Sequence, residues 1–266
     1  MTPKVSAVEQ RERWTVYGWR VIPGVPRAPL VNMALDQVLT ERVGRGLRPP
    51  TLRIWGWTRR CIVLGRFQSV RNEIDVAAAE KLDVEIVRRI SGGGAMFIEP
   101  EGAITYSIYA PEAMVRGMSF AESYTFLDAW VVEALRDLGI GAWYEPLNDI
   151  TSSEGKIGGA AQARRAGAVL HHTTMAYQMN LELMMQVLRI GKEKLSDKGL
   201  RSADKRVGPL RQQTALPREV IIEHLVDHFR QRFGGTEDQV TPEELAEAAQ
   251  RVTTQFGTSA WIHVLP

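Results

Sequence analysis

The amino-acid sequence predicts an α+β protein in which mixed sheets are flanked by helices. Short segments rich in β-branched and aromatic residues occur along most of the chain, and only a few longer segments have helical periodicity. The two kinds of segment do not alternate regularly, which argues against a repeated βαβ architecture. No Pro-, Gly- or Ser-rich linker divides the 266 residues. We therefore expect one main domain over residues 1–235 and a helical and extended tail over 236–266 that packs on it, without a full accessory domain.

The first part of the chain is predicted to consist mainly of strands bounded by turn-forming residues. An alternating segment ends at Pro23-Gly24, and a periodic apolar segment ends before Gly44, so a strand followed by a helix is expected. Ser119 before an apolar periodic segment and Gly139 after it delimit the strongest helix. The predicted strands are 14–22, 51–57, 61–65, 84–89 and 103–109, with a turn at 58–60, and the predicted helices are 31–43, 74–82 and 119–138.

The remaining chain is predicted to contain one pair of strands followed by helices. Segments 156–164 and 169–180 flank a basic turn that contains Gly167, which indicates paired strands. Amphipathic helices are expected at 181–188 and 217–233. A further helix is expected to begin at Thr241, because Pro242 suits a first helical turn and Glu244 completes a capping box.

The composition excludes several classes of protein. An apolar content of 44% is too high for a disordered chain, and no apolar segment approaches the length of a membrane-spanning helix. The N-terminus lacks the apolar core of a secretory signal, and a single cysteine permits no internal disulfide. A net charge of +2 is too small for a general nucleic-acid-binding protein. We expect a cytoplasmic protein that binds neither membrane nor nucleic acid. The basic segment 189–218 is either a solvated surface or a surface that attracts an acidic partner.

The strongest local motif is Arg88-Arg89-Ile90-Ser91-Gly92-Gly93-Gly94-Ala95. Glycines after a strand allow the backbone to turn sharply and approach a ligand closely. Successive N–H groups in such a turn can bind an anion, and arginine donors suit carboxylate or phosphate. The motif therefore predicts a loop that holds a phosphate-bearing ligand, the alternative being a tight glycine turn with exposed arginines. It is not a dinucleotide motif, because Phe97 occupies the position of the third spaced glycine.

A second candidate site combines Asn148-Asp149 with the segment Lys156-Ile157-Gly158-Gly159-Ala160. Asp149 could hold Mg²⁺ through a carboxylate oxygen. Lys156 could neutralise charge that develops on phosphate oxygens in a transition state. Two glycines would leave bare backbone for a ligand to lie on. The alternative is a solvated lysine beside a hairpin turn.

The remaining titratable candidates give weaker signals. His171 and His172 are adjacent on a predicted strand, so they point to opposite faces and do not easily bind one metal ion. His224 and His228 have the i, i+4 spacing that zinc sites use, but the glutamate of the metalloprotease signature is missing, and we interpret the pair as helix surface. Cys61 lies in an apolar strand and is interpreted as a buried, inert thiol.

Together, these motifs resemble the lipoate–protein ligase A family. The segments that carry the resemblance occur in the family's order and approximate spacing over about residues 14–235; they are Asn32-Met33-Ala34-Leu35-Asp36, Leu64-Gly65-Arg66-Phe67-Gln68, Arg88 to Ala95, Asn148-Asp149-Ile150, Lys156 to Gln162 and His171-His172-Thr173. The resemblance implies the fold of the catalytic domain of biotin ligases and class II synthetases. It also implies a two-step reaction, in which lipoate and ATP form lipoyl-AMP with Mg²⁺ and a lysine of a lipoyl-domain carrier protein then attacks this anhydride.

The resemblance assigns a role to each motif. Lys156 is the expected catalytic residue, and Asp149 is the expected metal ligand. The expected acyl pocket is lined by Leu64, Gly65, Arg66 and Phe67. The residues expected to bind the substrate or the adenylate are Arg89, Ser91, Gly92, Gly93, Gly94, Ala95, Asn148, Asp149, Gly158, Gly159, Ala160 and His172.

Three features depart from the ligase pattern. The family has aromatic-His-Asp where this chain has Phe97-Ile98-Glu99, and Ile104-Thr105-Tyr106-Ser107 is more similar to the octanoyl and lipoyl transferases of the superfamily. Those transferases use a cysteine beside the segment that aligns with 147–149, where this chain has none. The longer ligases carry an accessory domain with no counterpart here. The chain therefore needs a separate accessory subunit, uses preformed lipoyl-AMP or acts alone, and the first alternative is favoured.

The sequence therefore predicts an ATP-dependent lipoate–protein ligase, and two alternatives stay open. One is a lipoyl or octanoyl transferase that uses a preactivated or carrier-bound acyl donor. The other is a non-catalytic regulator that binds lipoate or biotin.

Overall fold

The computed structural model describes residues 7–189 and 207–265 of the chain. Within these ranges, the strands form a nine-stranded mixed sheet and a separate three-stranded sheet, with helices packed against both. The predicted α+β class with mixed sheets is confirmed. Among the described residues, no helix is both long enough and apolar enough to cross a membrane.

The large sheet contains both parallel and antiparallel pairs. Its strands are β1 (Arg20–Ile22), β2 (Pro26–Arg27), β3 (Thr51–Trp57), β7 (Ala103–Pro111), β8 (Trp143–Glu145), β9 (Asp149–Ser152), β10 (Gly155–Arg165), β11 (Ala168–Ala176) and β12 (Thr236–Glu237). Their spatial order is β12-β1-β3-β7-β11-β10-β9-β8, with β2 paired to β3. The strands β12, β1 and β3 are parallel, and each pair from β3 to β8 is antiparallel.

The small sheet supports the glycine motif. Its central strand β4 (Cys61–Leu64) pairs in parallel with β5 (Glu85–Arg88) and antiparallel with β6 (Met96–Ile98). The motif connects β5 to β6, so both of its ends are fixed by the same sheet. The strands predicted at 51–57 and 61–65 are present, but they belong to different sheets, and the turn between them links two sheets instead of closing a hairpin.

The helices are α1 (Ala7–Thr15), α2 (Pro29–Gly44), α3 (Val70–Glu73), α4 (Val76–Lys81), α5 (Phe120–Asp137), α6 (Leu181–Val187), α7 (Arg218–Phe233), α8 (Pro242–Arg251) and α9 (Ser259–Ile262). Helix α2 is buried along most of its length, because it packs against strands β7 and β11 of the large sheet and β5 of the small one. The capping box predicted at Thr241 and Glu244 is present, and Ser119 and Glu122 form another at the start of α5.

The predicted first strand is wrong over its N-terminal half. Trp14 and Thr15 end helix α1, and strand β1 begins only at Arg20. The reason is a tertiary contact: the Trp14 ring stacks on Phe233 with 4.3 Å between ring centroids, and it also contacts Phe126. Sequence alternation around Trp14 carries no information about partners so distant in the chain.

The residues after position 235 are tied to the main body by pairing and by charge. Strand β12 pairs with β1, and α8 packs on α2. The buried guanidinium of Arg48 lies 2.6 Å from a carboxylate oxygen of Glu244 and 2.7 Å from one of Asp238. The boundary of the main domain at 235 stays a prediction.

Candidate active site

The structure brings the glycine motif and the Lys156 segment to the same cavity. This cavity has a volume of about 380 Å³, and Gly94 and Ala95 line it together with Lys156, Gly158 and Gly159. A Cβ atom added to Gly93 would lie 3.8 Å from the Cβ of Ala161, so the motif contacts strand β10. Two stretches that are distant in sequence therefore face one ligand-sized space.

The lining of the cavity is mainly apolar. Its apolar side chains come from β6, the start of β7, the end of β11 and helix α6, and they include Met96, Phe97, Ile98, Ala103, Ala176, Met184 and Leu188. An acyl chain fits such a lining because its burial removes apolar surface from water.

The predicted acyl pocket does not coincide with this cavity. None of its four residues lines the cavity. Leu64 is fully buried in the hydrophobic cluster behind the cavity lining, which also contains Phe97 and Leu188, and the ring of Phe67 is 77% exposed. A Cβ atom on Gly65 would lie 2.1 Å from the carbonyl oxygen of Gly93, and the N–H of Arg66 donates to the carbonyl of Ser91 at 2.8 Å. Gly65 and Arg66 thus support the glycine loop from behind.

Lys156 is paired with Asp149 on the neighbouring strand. Its Nζ lies 2.9 Å from Asp149 Oδ1, and the side chains are 32% and 13% exposed. A Cβ atom at Gly159 would lie 3.2 Å from Nζ, and one at Gly158 would lie 2.7 Å from the carbonyl oxygen of Thr174. The glycines therefore make room for the lysine and for close packing of β10 on β11. A partly exposed ammonium group at the edge of an apolar cavity can stabilise negative charge that develops on a reacting carbonyl oxygen.

Asn148 and Ala160 hold the segment that carries Asp149. The side-chain amide of Asn148 donates to the carbonyl of Ala160 at 2.6 Å, and the N–H of Ala160 donates to the carbonyl of Asn148 at 2.8 Å. These bonds fix the start of β9 against β10, which places Asp149 beside the lysine.

The two arginines of the glycine motif bind carbonyl groups of the protein. Arg89 is buried and donates to the carbonyls of Gly92, Gly94 and Val63. Arg88 donates to the carbonyls of Gly65, Gln68 and Ile262, the last of which joins α9 to the same loop. The sequence predicts that these guanidinium groups face an anionic ligand, whereas in the structure they donate to backbone carbonyl groups. They fix the shape of the loop instead.

Burial lowers the pKa of the Arg89 guanidinium to about 10. The group is therefore still charged at neutral pH. A charged donor inside the protein makes strong hydrogen bonds to carbonyl oxygens, which explains how three glycines in a row can keep one conformation.

A buried chain of hydrogen bonds connects the glycine loop to helix α2. The Ser91 hydroxyl lies 2.6 Å from His172 Nε2, and His172 Nδ1 lies 2.7 Å from Asp36 Oδ2. The other oxygen of Asp36 accepts from the hydroxyls of Ser107 and Tyr109 at 3.0 and 2.6 Å. Since Asp36 can only accept, Nδ1 carries the proton, and Nε2 accepts from the serine.

Burial and neighbouring groups determine the protonation of His172 and Asp36 in this hydrogen-bond chain. Burial lowers the pKa of His172 although Asp36 opposes the shift. Burial raises the pKa of Asp36, but the hydrogen bonds from His172 and Tyr109 and the charge of Arg53 oppose it, and the net effect is a lowering. A neutral imidazole thus joins a carboxylate to a hydroxyl. Ser91 is 1% exposed and does not line the cavity. The hydrogen-bond chain from Ser91 to Asp36 therefore holds the glycine loop in place.

Sequence reasoning assigned no role to Asp36. Its only signal was its position in the segment Asn32 to Asp36. One helical turn before it, Asn32 accepts from Arg53 at 2.6 Å and donates to the carbonyl of Gly56. The i, i+4 spacing of Asn32 and Asp36, within the apolar first half of the helix, could have indicated a buried polar face.

Cys61 does not line the cavity of this site. Cys61 is fully buried, and burial raises the pKa of its thiol well above the ordinary value. The segment 147–149 contains no thiol, and Cys61 is the one cysteine of the chain. Most of the predicted basic surface, residues 190–206, lies outside the described residues.

A glycine loop, a strand lysine and an apolar cavity on this α+β framework define a catalytic domain of the biotin and lipoate ligase type. Residues 28–233 match the model of the lipoyl protein ligase A/B catalytic domain, and the chain belongs to that family. A solved structure described as a bipartite lipoate protein ligase and its E2 lipoyl domain, from Thermoplasma acidophilum, superposes with a TM-score of 0.79. It is 26% identical in sequence, and the match covers 94% of this chain and 98% of that one.

Curated relatives carry a different activity name from the one expected. Octanoyltransferase LipM of Brevibacillus brevis is 24% identical over 277 residues, which cover 91% of this chain and 98% of the relative. Octanoyltransferase LipM of Halalkalibacterium halodurans is 27% identical over 273 residues, with the same coverage of both chains.

These relatives correct the predicted activity. The prediction of an ATP-dependent lipoate–protein ligase is wrong, and so is the prediction of ATP and Mg²⁺ as cofactors with an acyl-adenylate intermediate. An acyltransferase moves a group that its donor already carries in activated form, so the reaction needs no nucleotide to create a leaving group. The transferase alternative agrees with the relatives.

Proposed function

We propose that this protein transfers an octanoyl group from a carrier-bound thioester to a lysine of a lipoyl-domain protein. The observation that carries the proposal is the cavity in which an apolar lining ends at the Lys156–Asp149 pair, in a chain whose curated relatives along nearly its whole length are octanoyltransferases. The donor and the acceptor are taken from chemistry: a thioester is an activated acyl group, and the structural neighbour is described with a lipoyl domain.

The cavity holds the acyl chain, and its polar rim holds the reacting carbonyl. Met96, Phe97 and Leu188 contact the chain, and Gly94 presents bare backbone beside it. Lys156 then lies next to the carbonyl oxygen. As the acceptor amine attacks the carbonyl carbon, negative charge moves onto this oxygen, and the ammonium group stabilises it.

The transfer proceeds without an acyl-enzyme on cysteine. The acceptor lysine forms a C–N bond as the C–S bond of the thioester breaks, and the departing sulfur takes up the proton that the amine loses. The products are an amide on the acceptor and a free thiol on the donor, so the atoms balance. The burial of Cys61, the one cysteine of the chain, supports direct transfer.

The test supplies two donors in parallel to the same purified protein and apo lipoyl domain. The first reaction contains octanoyl-acyl carrier protein and EDTA without nucleotide, and the second contains free octanoate, ATP and Mg²⁺. Intact-mass spectrometry should show one octanoyl amide on the lipoyl domain in the first reaction and none in the second. Labelling that requires free octanoate and ATP would overturn the proposal, as would the absence of labelling in both reactions.

A further inference from the structure

Three potential metal ligands meet on the face of the molecule where α5 and α7 pack together. Asp137 is the last residue of α5, and His224 and His228 lie one turn apart on α7. His228 Nδ1 is 2.9 Å from Asp137 Oδ2, and His224 Nε2 is 3.9 Å from the same oxygen. One ligand atom from each residue lies within 4.8 Å of the others. None of the three lines the acyl cavity.

These distances suit a small divalent ion. Zn²⁺ binds imidazole nitrogen and carboxylate oxygen at about 2.0–2.2 Å, so tetrahedral ligand atoms lie about 3.4 Å from one another. The two measured separations, 2.9 and 3.9 Å, fall on either side of that value. The remaining separation, between the two imidazole nitrogens, is at most 4.8 Å, so binding of one ion needs side-chain rotation at His224 and His228.

The helices hold the ligands in position before any ion arrives. Phe229, one residue after His228, is fully buried and packs edge-on against Trp130 of α5, with 5.2 Å between ring centroids. Leu225, one residue after His224, is also fully buried in the same core cluster. Because the core fixes both helices, binding has little backbone entropy to overcome.

The candidate ligand atoms of both histidines already make hydrogen bonds that an ion would replace. His228 Nδ1 lies 2.9 Å from Asp137 Oδ2, so its coordination would exchange this bond for a bond to the ion. His224 Nε2 donates to the carbonyl of Ala134 at 3.1 Å. Coordination through this nitrogen would exchange that bond for a bond to the ion.

We propose that Asp137, His224 and His228 form a Zn²⁺ site that joins the end of α5 to the middle of α7. Two neutral imidazoles and one carboxylate are typical ligands of this ion, and water completes its coordination. Asp137 is 55% exposed and His224 is 30% exposed, so the ion can enter from solvent. A bound ion would stabilise the folded state, because the unfolded chain does not hold the three ligands together.

The experiment uses the full-length protein without an affinity tag, stripped with EDTA and then dialysed. Calorimetric titration with ZnCl₂ should give one site per chain, and the Tm should rise by a few degrees. Co²⁺ should give the visible absorption of a tetrahedral site. The His224→Ala variant should bind Zn²⁺ at least about 10-fold more weakly and lose the Tm rise. His263→Ala is the matched control, because His263 is exposed and distant from the cluster in sequence.

Asp137→Asn provides a second variant that keeps side-chain size and removes the charge. It should weaken binding as His224→Ala does. The proposal is overturned if the wild-type protein takes up no Zn²⁺ at 100-micromolar metal, or if both variants bind it as tightly as the wild type. Since neither side chain is buried in the core, both variants are expected to fold, which circular dichroism of each sample should verify.

Discussion

Lys156 is the side chain on which the proposed chemistry depends most directly. Its ammonium group lies at the cavity, 2.9 Å from Asp149 Oδ1, and its side chain is partly exposed, so its removal opens no cavity in the core. The Lys156→Ala variant should therefore fold normally and lose about 10²-fold in transfer rate, the usual effect of removing one donor to a developing oxyanion. Steady-state assays of octanoyl transfer measure this loss.

Lys81→Ala is the control for the lysine substitution. Lys81 is an exposed residue at the end of α4 and does not line the cavity. Its removal should leave the transfer rate unchanged. Equal rates for Lys156→Ala and the wild type would show that the carbonyl oxygen is stabilised by another group.

The buried imidazole of His172 should make stability depend on pH. Its pKa in the folded protein is lowered from the ordinary value of 6.5, chiefly by burial. As the pH falls below 6.5, the unfolded chain takes up a proton that the folded protein does not, so the free energy of unfolding decreases. The decrease ends where the folded imidazole also protonates, and above the ordinary value the contribution is constant.

The variant His172→Gln isolates this effect. Urea unfolding at about pH 7.5 and pH 5.5 brackets the window, and the wild type should lose more stability between these values than the variant. Asp36 has an ordinary pKa of 3.8 that is lowered further, so its own titration lies below the window. An equal loss of unfolding free energy in the wild type and the variant would mean that groups other than His172 determine the pH dependence of stability.

At the level of elements, the glycine loop keeps its shape because Gly65 lets it approach β4. A Cβ at position 65 would lie 2.1 Å from the backbone oxygen of Gly93, which cannot move without moving the loop. Gly65→Ala should therefore displace the loop and reduce octanoyl transfer by about 10²-fold, the effect of a 1 Å misplacement at a reacting centre. Assays of transfer and circular dichroism together separate loss of geometry from loss of fold.

Gly141→Ala provides the matched glycine control. A Cβ at this position meets nothing within 4 Å, so rate and fold should both be preserved. If Gly65→Ala transfers octanoyl as fast as Gly141→Ala does, the loop tolerates displacement, and the explanation from close packing is wrong.

Local patterns were sufficient to predict the elements that carry the site. Helix α2, strand β3 and the pair β10–β11 lie within a few residues of their predicted bounds, because hydrophobic periodicity and turn residues are properties of short segments. The pairing of β12 with β1 was not predicted, since two-residue and three-residue strands have too little periodicity to be recognised.

The contacts within the site were harder to predict than its residues. Lys156 and Asp149 are close in sequence and pair across neighbouring strands. Asp36, Ser91 and His172 come from a helix, a loop and a distant strand, and only the packing of α2 between the sheets brings them together. The sequence also predicted that Arg89 contacts the ligand. In the structure its guanidinium donates to carbonyl groups of the glycine loop, and the sequence alone does not reveal these bonds.

At the scale of the whole molecule, strands of both sheets and helix α6 line the apolar cavity, and the one cysteine of the chain is buried. The proposed direct transfer requires both carriers to be present at once, since the buried Cys61 does not store the acyl group between them. Initial rates measured against donor concentration at several acceptor concentrations should give intersecting reciprocal plots, whereas an acyl-enzyme gives the parallel plots of a ping-pong reaction.

Incubation with octanoyl-acyl carrier protein alone should leave the mass of the enzyme unchanged. Cys61→Ser should keep the transfer rate within about 2-fold, because a buried thiol of raised pKa is not a nucleophile. Parallel plots, or an octanoyl adduct on the enzyme, would contradict direct transfer even if octanoyl transfer itself were observed.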